Sequence, residues 1–377
     1  MKQNGAKGRA AAKGSRSGSF PVEPSCRPSV TTWPGAIGAL AAAFGLVLAG
    51  CAGEGSGDVV RVHVPSGASF AQVTDSLAAK DIVAAPPLFE LYARATGATG
   101  DVKPGTYAFR KGTGWKRVLA DLRAGRVLTA RVVIPEGWNL EGIAPRLQEA
   151  TGLTTDSILL VLTDTSVVRR FDVPGPTLEG YLYPATYTFP IDASLDTVIG
   201  QMVGIYRRVW TTERAARAAE LGFSEREIVA LASIIEKEAR IADEMPTISA
   251  VFHNRLEIGY PLQADPTVQY ALGGHRQRLL YADIDSVADN PYNTYRNAGL
   301  PPGPIASPSE RAIDAALTPA DVDYLYFVAR PDGSHVFTRS LEEHNRAKAA
   351  IRREVSRSGA AARPDSGTDP PGGNRSP

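Results

Sequence analysis

Two stretches decide how this chain folds: VHVPSGASF at residues 62–70 and VVIPEGWNL at residues 132–140. Each joins a short strand-like run to a Pro-x-Gly turn and then to a Ser or Asn, residue types that cap helix N-termini. Beyond each cap, apolar residues recur at three and four spacing, which indicates an amphipathic helix. The sequence therefore predicts two β-turn-α units, which are too few for a solenoid.

These units divide the body of the chain into a small and a large part. Residues 59–130 predict a small α+β domain with a hairpin edge over 102–109 and a helix over 115–124. From these residues alone, it is equally consistent with a spacer and with a module that grips an extended polymer. Residues 131–355 predict a larger mixed α/β domain, and residues 356–377, with hardly any large apolar side chain, predict a disordered tail.

Within the larger domain, a capping box at Ser224 opens a helix that is predicted to continue past Arg240. A buried strand over 325–329, a returning strand over 335–337 and a last helix over 341–355 follow. Residues 290–308 are rich in Pro, Gly, Asn and Tyr. A loop of that length inside a compact domain is more often functional than structural.

The composition excludes several classes of function. The 377 residues carry 41 Lys and Arg against 40 Asp and Glu, which removes the electrostatic argument for a nucleic-acid partner. Two cysteines, Cys26 and Cys51, cannot build a disulfide framework or a zinc or iron–sulfur site of the cysteine type. The five histidines show no His-Glu-x-x-His spacing. This leaves little room for a zinc hydrolase. We expect no metal and no cofactor.

The start of the chain is typical of an export and anchoring signal. A basic tail over 1–33 precedes an apolar segment over 34–52, an asymmetry that predicts a cytoplasmic N-terminus and an exported body. The apolar centre of about 17 residues would give roughly 25 Å of helix, which is marginal for a membrane span. A lipobox-like run, LAGC, competes with this interpretation and makes Cys51 a candidate for lipidation. A membrane anchor and a lipoprotein signal remain equal alternatives.

The helix predicted after Ser224 carries two acids with different surroundings. Glu236 is followed four residues later by Arg240, a favourable surface pair that explains Glu236 structurally. Glu238 lies on the apolar flank of the helix, and the residue four positions on is Ala242, not a base. An unpaired carboxylate on an apolar surface is costly unless its pKa is raised or its side chain faces a cleft. A raised pKa is what a general acid needs near neutral pH. We therefore favour Glu238 as the catalytic residue.

Two further polar candidates, Gln263 and Asp265, lie in LQADPT at residues 262–267. Asp265 precedes Pro266, so a turn or helix-cap role is as good an explanation as a functional one. For the five histidines, ordinary packing or surface positions are favoured over a chemical role.

Seven further runs stand in a fixed order over about residues 60–350: VIPEG (133–137), LEGYLYP (178–184), ASIIEKE (232–238), VFHNRL (251–256), LQADPTV (262–268), residues 292–305 with GLPPG (299–303), and residues 324–329 followed by HN (344–345). In these runs, and in their order, the chain resembles the MltG (YceG-like) endolytic murein transglycosylases. One short apolar run matches by chance, whereas seven ordered runs do not. Residues 273–286 match weakly, so no residue is carried over from them.

The resemblance implies an enzyme that cuts the β-1,4 bond between N-acetylmuramic acid (MurNAc) and N-acetylglucosamine (GlcNAc) inside nascent peptidoglycan strands. It leaves 1,6-anhydroMurNAc ends and so terminates strand elongation. The resemblance also implies a LysM-like subdomain over 59–130, a YceG-like catalytic domain over 131–355 and cell-wall synthases as partners. The protein would be held at the bacterial inner membrane, single-pass or lipid-anchored, with its catalytic domain outside. Family members usually carry one membrane helix, so Cys51 puts the mode of anchoring in doubt.

In the resemblance, the catalytic glutamate of the family falls on Glu238, in agreement with the helix argument. One carboxyl group suffices for a lytic transglycosylase, because it protonates the leaving oxygen and then deprotonates the muramic C6 hydroxyl. Gln263, Asp265 and Asn293 are candidates for orienting the sugar, and Glu179 for linking the domain to the cleft. Two alternatives stay open: a hydrolytic muramidase that pairs Glu238 with Asp265, and an inactive peptidoglycan-binding scaffold.

Overall fold

The computed structural model describes residues 55–361, and its first part is built on a two-stranded antiparallel ladder. Strand β1 (Val59–Val64) pairs with β2 (Gly105–Arg110) so that Val62 faces Tyr107. Three helices cover the ladder: α1 (Phe70–Ala78), α2 (Pro86–Ala95) and α3 (Trp115–Ala124). Their apolar faces close a separate small core around Leu77, Phe89 and Leu122.

The second predicted β-turn-α unit opens the larger part. Strand β3 (Thr129–Ile134) alternates exposed and buried residues and pairs antiparallel with β4 (Ala185–Pro190). Helix α4 (Leu140–Thr151) begins where the Asn139 side chain accepts the amide of Gly142 at 3.0 Å. In the first unit, Ser69 and Gln72 form a complete capping box. Both β-turn-α predictions are therefore confirmed.

Most of the larger part is helical and encloses a second, larger core. Helix α9 runs through its centre, is buried from Ile228 to Ile235, and packs against α10, α11 and α13. The helices are α5 (Thr155–Leu162), α6 (Thr165–Arg170), α7 (Leu195–Val209), α8 (Thr212–Glu220), α9 (Glu225–Glu238), α10 (Met245–Glu257), α11 (Asp265–Ala271), α12 (Tyr281–Ser286) and α13 (Glu310–Leu317), with a 3₁₀ turn at Ala242–Glu244.

Helix α9 ends earlier than the sequence predicts. The prediction that it continues past Arg240 is wrong, because Ala239 takes an extended conformation (ψ 124°) and Glu238 is the last helical residue. The chain then makes the 3₁₀ turn and enters α10 with Pro246 in its first turn, a position that proline favours.

The C-terminal part is a hairpin covered by a long helix. Strand β5 (Tyr326–Ala329) pairs antiparallel with β6 (His335–Thr338), as predicted, although β5 is half-buried rather than buried. Helix α14 (Leu341–Ala361) packs on this hairpin and continues beyond Val355, where the sequence predicted its end. Residues 356–361 of the tail predicted to be disordered are thus helical, and residues 362–377 lie outside the described part.

The predicted N-terminal anchor and Cys51 also lie outside the described residues. Among residues 55–361, no helix combines the length and the apolar character that crossing a bilayer requires.

Candidate active site

A cleft of about 790 Å³ opens beside the end of α9. Glu238 lines it, together with residues that follow α10, the first residue of α11, and the face that hairpin β5–β6 and helix α14 present. Four tyrosines and four basic side chains also contribute to its walls: Tyr260, Tyr281, Tyr295, Tyr326, Arg255, Arg278, Lys348 and Arg352. This mixture of aromatic rings and polar groups suits a polyhydroxylated ligand.

Glu238 has the electrostatics of a general acid. Burial, followed by the negative charge of Asp265, raises the pKa of Glu238 to about 8, while the positive charge of Arg255 opposes the rise. A carboxyl group with that pKa carries its proton at neutral pH and can donate it to a substrate oxygen. The early end of α9 explains its position, because the side chain leaves the last turn of the helix beside open space.

Glu236 has a structural role that differs from the predicted one. The expected pair with Arg240 is absent; instead, the Glu236 carboxylate accepts the amide of Ser309 at 3.0 Å and its hydroxyl at 2.5 Å. Ser309 is the N-cap of α13, where a negative charge is favourable. The two glutamates of this run therefore face different surroundings.

Two of the other predicted residues, Gln263 and Asp265, line the same cleft as Glu238. Gln263 has a left-handed backbone conformation (φ 49°), and its backbone N–H donates a hydrogen bond to the carbonyl of Thr294 at 3.1 Å. Such a conformation is uncommon for a residue other than glycine and recurs at functional sites. Asp265 is the first residue of α11 rather than its cap. Its Oδ1 accepts the hydroxyl of Tyr295 at 2.5 Å.

The remaining two predicted site residues, Glu179 and Asn293, are not among the residues that line this cleft. Glu179 is 2% exposed and accepts the amide of Leu140 at 3.1 Å; burial raises its pKa to about 8. Asn293 is fully buried and donates to the carbonyls of Ile284 and Val287. A substrate contact for either residue stays a prediction.

Arg255 is a site residue that the sequence reasoning missed. It is 7% exposed, and its guanidinium donates to the carbonyls of Leu325 at 2.7 Å and Leu262 at 2.6 Å. The same group stacks over the rings of Tyr260 and Tyr326. Arg255 thereby ties the segment before Asp265 to hairpin β5–β6, and its charge lowers the pKa of Glu238. In the sequence, the only feature that pointed to Arg255 was its place in the run VFHNRL (251–256).

Within residues 55–361, no three His, Cys, Asp or Glu side chains come together as metal ligands. Comparison with known protein families then decides the relationship, because the profile of the YceG-like family matches residues 62–350. The chain belongs to the YceG-like family. The matched region includes Glu238, Arg255, Gln263 and Asp265 and ends just before Arg352.

Named relatives match most of the length of this YceG-like chain. An endolytic murein transglycosylase of Bacillus subtilis (strain 168) is 35% identical over 308 residues, which cover 77% of this chain and 84% of that protein. One of Streptococcus pneumoniae (strain D39) is 29% identical over 317 residues, covering 76% of this chain but 57% of the longer relative. The crystal structure of a YceG-like protein from Listeria monocytogenes matches with a TM-score of 0.53 at 33% identity. That match covers 78% of this chain and all of the Listeria chain.

Proposed function

We propose that this YceG-like chain is an endolytic murein transglycosylase. It cleaves the MurNAc–GlcNAc β-1,4 bond within glycan strands, leaves 1,6-anhydroMurNAc ends and terminates strand elongation. The relatives named for this activity cover most of the chain. The observation that carries the chemistry is Glu238, a carboxyl group with a pKa of about 8 on the wall of a large cleft.

In the first step, protonated Glu238 donates its proton to the glycosidic oxygen. The C1–O bond breaks, the leaving GlcNAc keeps the bonding electrons and the new proton, and positive charge develops at C1 of the muramoyl sugar. Glu238 becomes a carboxylate at that moment. Asp265 lines the same cleft, and its negative charge is placed to favour the cationic sugar.

In the second step, the Glu238 carboxylate takes the proton from the C6 hydroxyl of the same muramoyl sugar. The C6 oxygen attacks C1 and closes the 1,6-anhydro ring, so that Glu238 regains its proton and no water is consumed. An internal hydroxyl competes well with water because it is already positioned and has a large effective concentration. Gln263, on its left-handed backbone, orients the sugar directly, Asn293 does so through the loop that its hydrogen bonds hold, and Glu179 links the domain to the cleft.

A hydrolytic muramidase is the second candidate, and Asp265 is the observation that favours it. Asp265 lies close enough to Glu238 to raise its pKa, and a pair of carboxyl groups across a cleft is the usual equipment of a glycoside hydrolase. In that case Asp265 would act as base or nucleophile and the products would carry reducing ends.

The location and partners belong to the same proposal. Residues 34–52 hold the enzyme at the inner membrane, either as a span or through a lipid on Cys51, with the catalytic part outside and beside the cell-wall synthases. Residues 59–130 act as a LysM-like subdomain that grips the strand. The charge asymmetry of the N-terminus and the separate core of the small part support these assignments.

Mass spectrometry of muropeptides released from purified glycan strands tests the activity. The expected products are lighter than reducing-end muropeptides by one water molecule, and Glu238→Gln releases them at least about 10²-fold more slowly. Absence of products from the unaltered chain would refute the proposal and favour a peptidoglycan-binding scaffold.

A further inference from the structure

Helix α14 turns one polar face toward the cleft. The residues that it contributes recur at positions 341, 344, 345, 348 and 352, the spacing of a single helix face. From His344 to Arg352 this face extends along about 12 Å of helix axis. Lys348 and Arg352 form its far part, and Arg278 adds a third cation from a different segment of the cleft wall. The proposed reaction gives these three side chains no role.

Among the described side chains, these three cations have no acidic partner within salt-bridge distance. In the part of the chain that the structure describes, no salt bridge joins Arg278, Lys348 or Arg352 to a carboxylate, whereas Arg296 pairs with Asp285, and Arg339 pairs with Asp323 at 2.5 Å. Arg346, on another face of α14, lies 3.7 Å from Glu342. Arg296, Arg339 and Arg346 are therefore neutralised by partners within the protein, whereas Arg278, Lys348 and Arg352 keep their charge available to a ligand in the cleft.

The charge of the cleft as a whole favours an anion. Its wall holds two acids, Glu238 and Asp265, and the pKa of Glu238 leaves that residue mostly uncharged at neutral pH. Arg255 is engaged with backbone carbonyls and tyrosine rings. The remaining cations are exposed and create a positive region that attracts negative groups to one end of the cleft.

We propose that Arg278, Lys348 and Arg352 bind the carboxylates of the stem peptide carried by a muramoyl sugar of the strand. This rests on the proposed function. The sugar backbone carries no charge of its own, so the peptide carboxylates are the anions that a strand in this cleft brings within reach of α14. The enzyme then selects strands with acidic stem peptides over strands whose peptides are neutralised or missing.

The test compares two glycan substrates that differ in charge. One is purified strands with free stem-peptide carboxylates, and the other is the same strands after chemical amidation. The variant is Lys348→Glu with Arg352→Glu in the full chain. The matched control is Arg346→Glu with Arg353→Glu, which makes the same charge change on the same helix at two residues outside the cleft lining.

We expect the Lys348/Arg352 variant to lose about tenfold or more in kcat/KM on carboxylated strands, through KM, because charged contacts at a binding site are removed. On amidated strands its loss stays below about twofold, and the control stays within about twofold on both substrates. Equal losses on both substrates, or no loss, would overturn the proposal. Lipid-linked strands serve as a third substrate, and a loss confined to them would overturn the proposal in favour of the diphosphate of the lipid carrier.

A binding measurement separates this proposal from the proposed activity. Glu238→Gln, alone and combined with the two reversals, is titrated with soluble peptide-bearing strands in free and amidated form. Tighter binding of the free form that disappears with the reversals supports the subsite even if no cleavage product is found. Equal binding of both forms by Glu238→Gln contradicts it even if the enzyme cleaves strands.

Discussion

Glu236 accepts two hydrogen bonds from Ser309, from the amide at 3.0 Å and from the hydroxyl at 2.5 Å. This contact assigns different roles to two carboxyl groups that lie two residues apart in the sequence. Glu236 stabilises the start of α13, and Glu238 is left to face the cleft.

The first prediction compares these two acids directly. Glu238→Gln should lower kcat by about 10²–10⁴-fold with little change in KM, because it removes a proton donor and keeps the shape. Glu236→Gln should keep most of the activity and lower the free energy of unfolding by about 1 kcal/mol through a weakened helix start. Steady-state kinetics and urea denaturation of both variants check this. If Glu236→Gln were inactive but as stable as the unaltered chain, Glu236 rather than Glu238 would be the proton donor.

The second prediction concerns the pH dependence of cleavage. Asp265 raises the pKa of Glu238, and the reaction needs Glu238 protonated, so activity falls as the pH rises through that pKa. Burial is the larger cause of the raised pKa and stays in place, but removing the negative charge in Asp265→Asn should still move the alkaline limb of kcat/KM to lower pH. Asp285→Asn removes an aspartate that pairs with Arg296 outside the cleft lining and serves as control. An alkaline limb that does not move in Asp265→Asn would show that the charge of Asp265 does not affect the pKa of Glu238.

The third prediction concerns stability. Glu179 has an ordinary pKa near 4.5 when unfolded and about 8 when folded, so the native state holds a proton that the unfolded chain releases between these values. The free energy of unfolding should therefore fall as the pH rises from 4.5 to 8. Glu179→Gln should remove on the order of 5 kcal/mol of this fall, since each pKa unit corresponds to about 1.4 kcal/mol.

Urea denaturation at several pH values checks the third prediction. Glu238→Gln should also reduce the fall in the free energy of unfolding with rising pH, since burial raises the pKa of Glu238 in the folded state to about 8 as well. A stability profile that is unchanged in Glu179→Gln would show that this carboxyl group is ionised inside the fold.

Much of the fold follows from local signals. Both β-turn-α units and the span of α3 could be predicted because caps, turns and apolar spacing act within a few residues. The contacts that decide the site act over long separations: Glu236 meets Ser309 across 73 positions, and Arg255 meets Leu325 across 70. No local pattern carries such partners. The helical spacing placed Glu238 on an apolar flank, but it did not reveal that α9 ends there.

The fourth prediction concerns the close approach of Gly180, in residues 178–184, to Pro304, in residues 292–305. Gly180 has φ +83°, and a Cβ built on it would lie 2.4 Å from Pro304, whereas Gly222 has φ +79° with nothing within 4 Å. Gly222→Ala should therefore cost only the backbone strain of about 1–2 kcal/mol. Gly180→Ala should cost at least about 2 kcal/mol more, because backbone or Pro304 must shift. Thermal denaturation measures the stability of the two variants. Equal losses of stability would show that Pro304 can move away from the added Cβ at little cost.

The most direct test of the account is cleavage of purified glycan strands in water enriched in heavy oxygen, followed by mass spectrometry of the new ends. Intramolecular attack by the C6 hydroxyl predicts 1,6-anhydroMurNAc ends with no heavy oxygen, formed by the unaltered chain and at least about 10²-fold more slowly by Glu238→Gln. Reducing ends that carry heavy oxygen at C1 would contradict the account, because water would then be the nucleophile and the enzyme a muramidase.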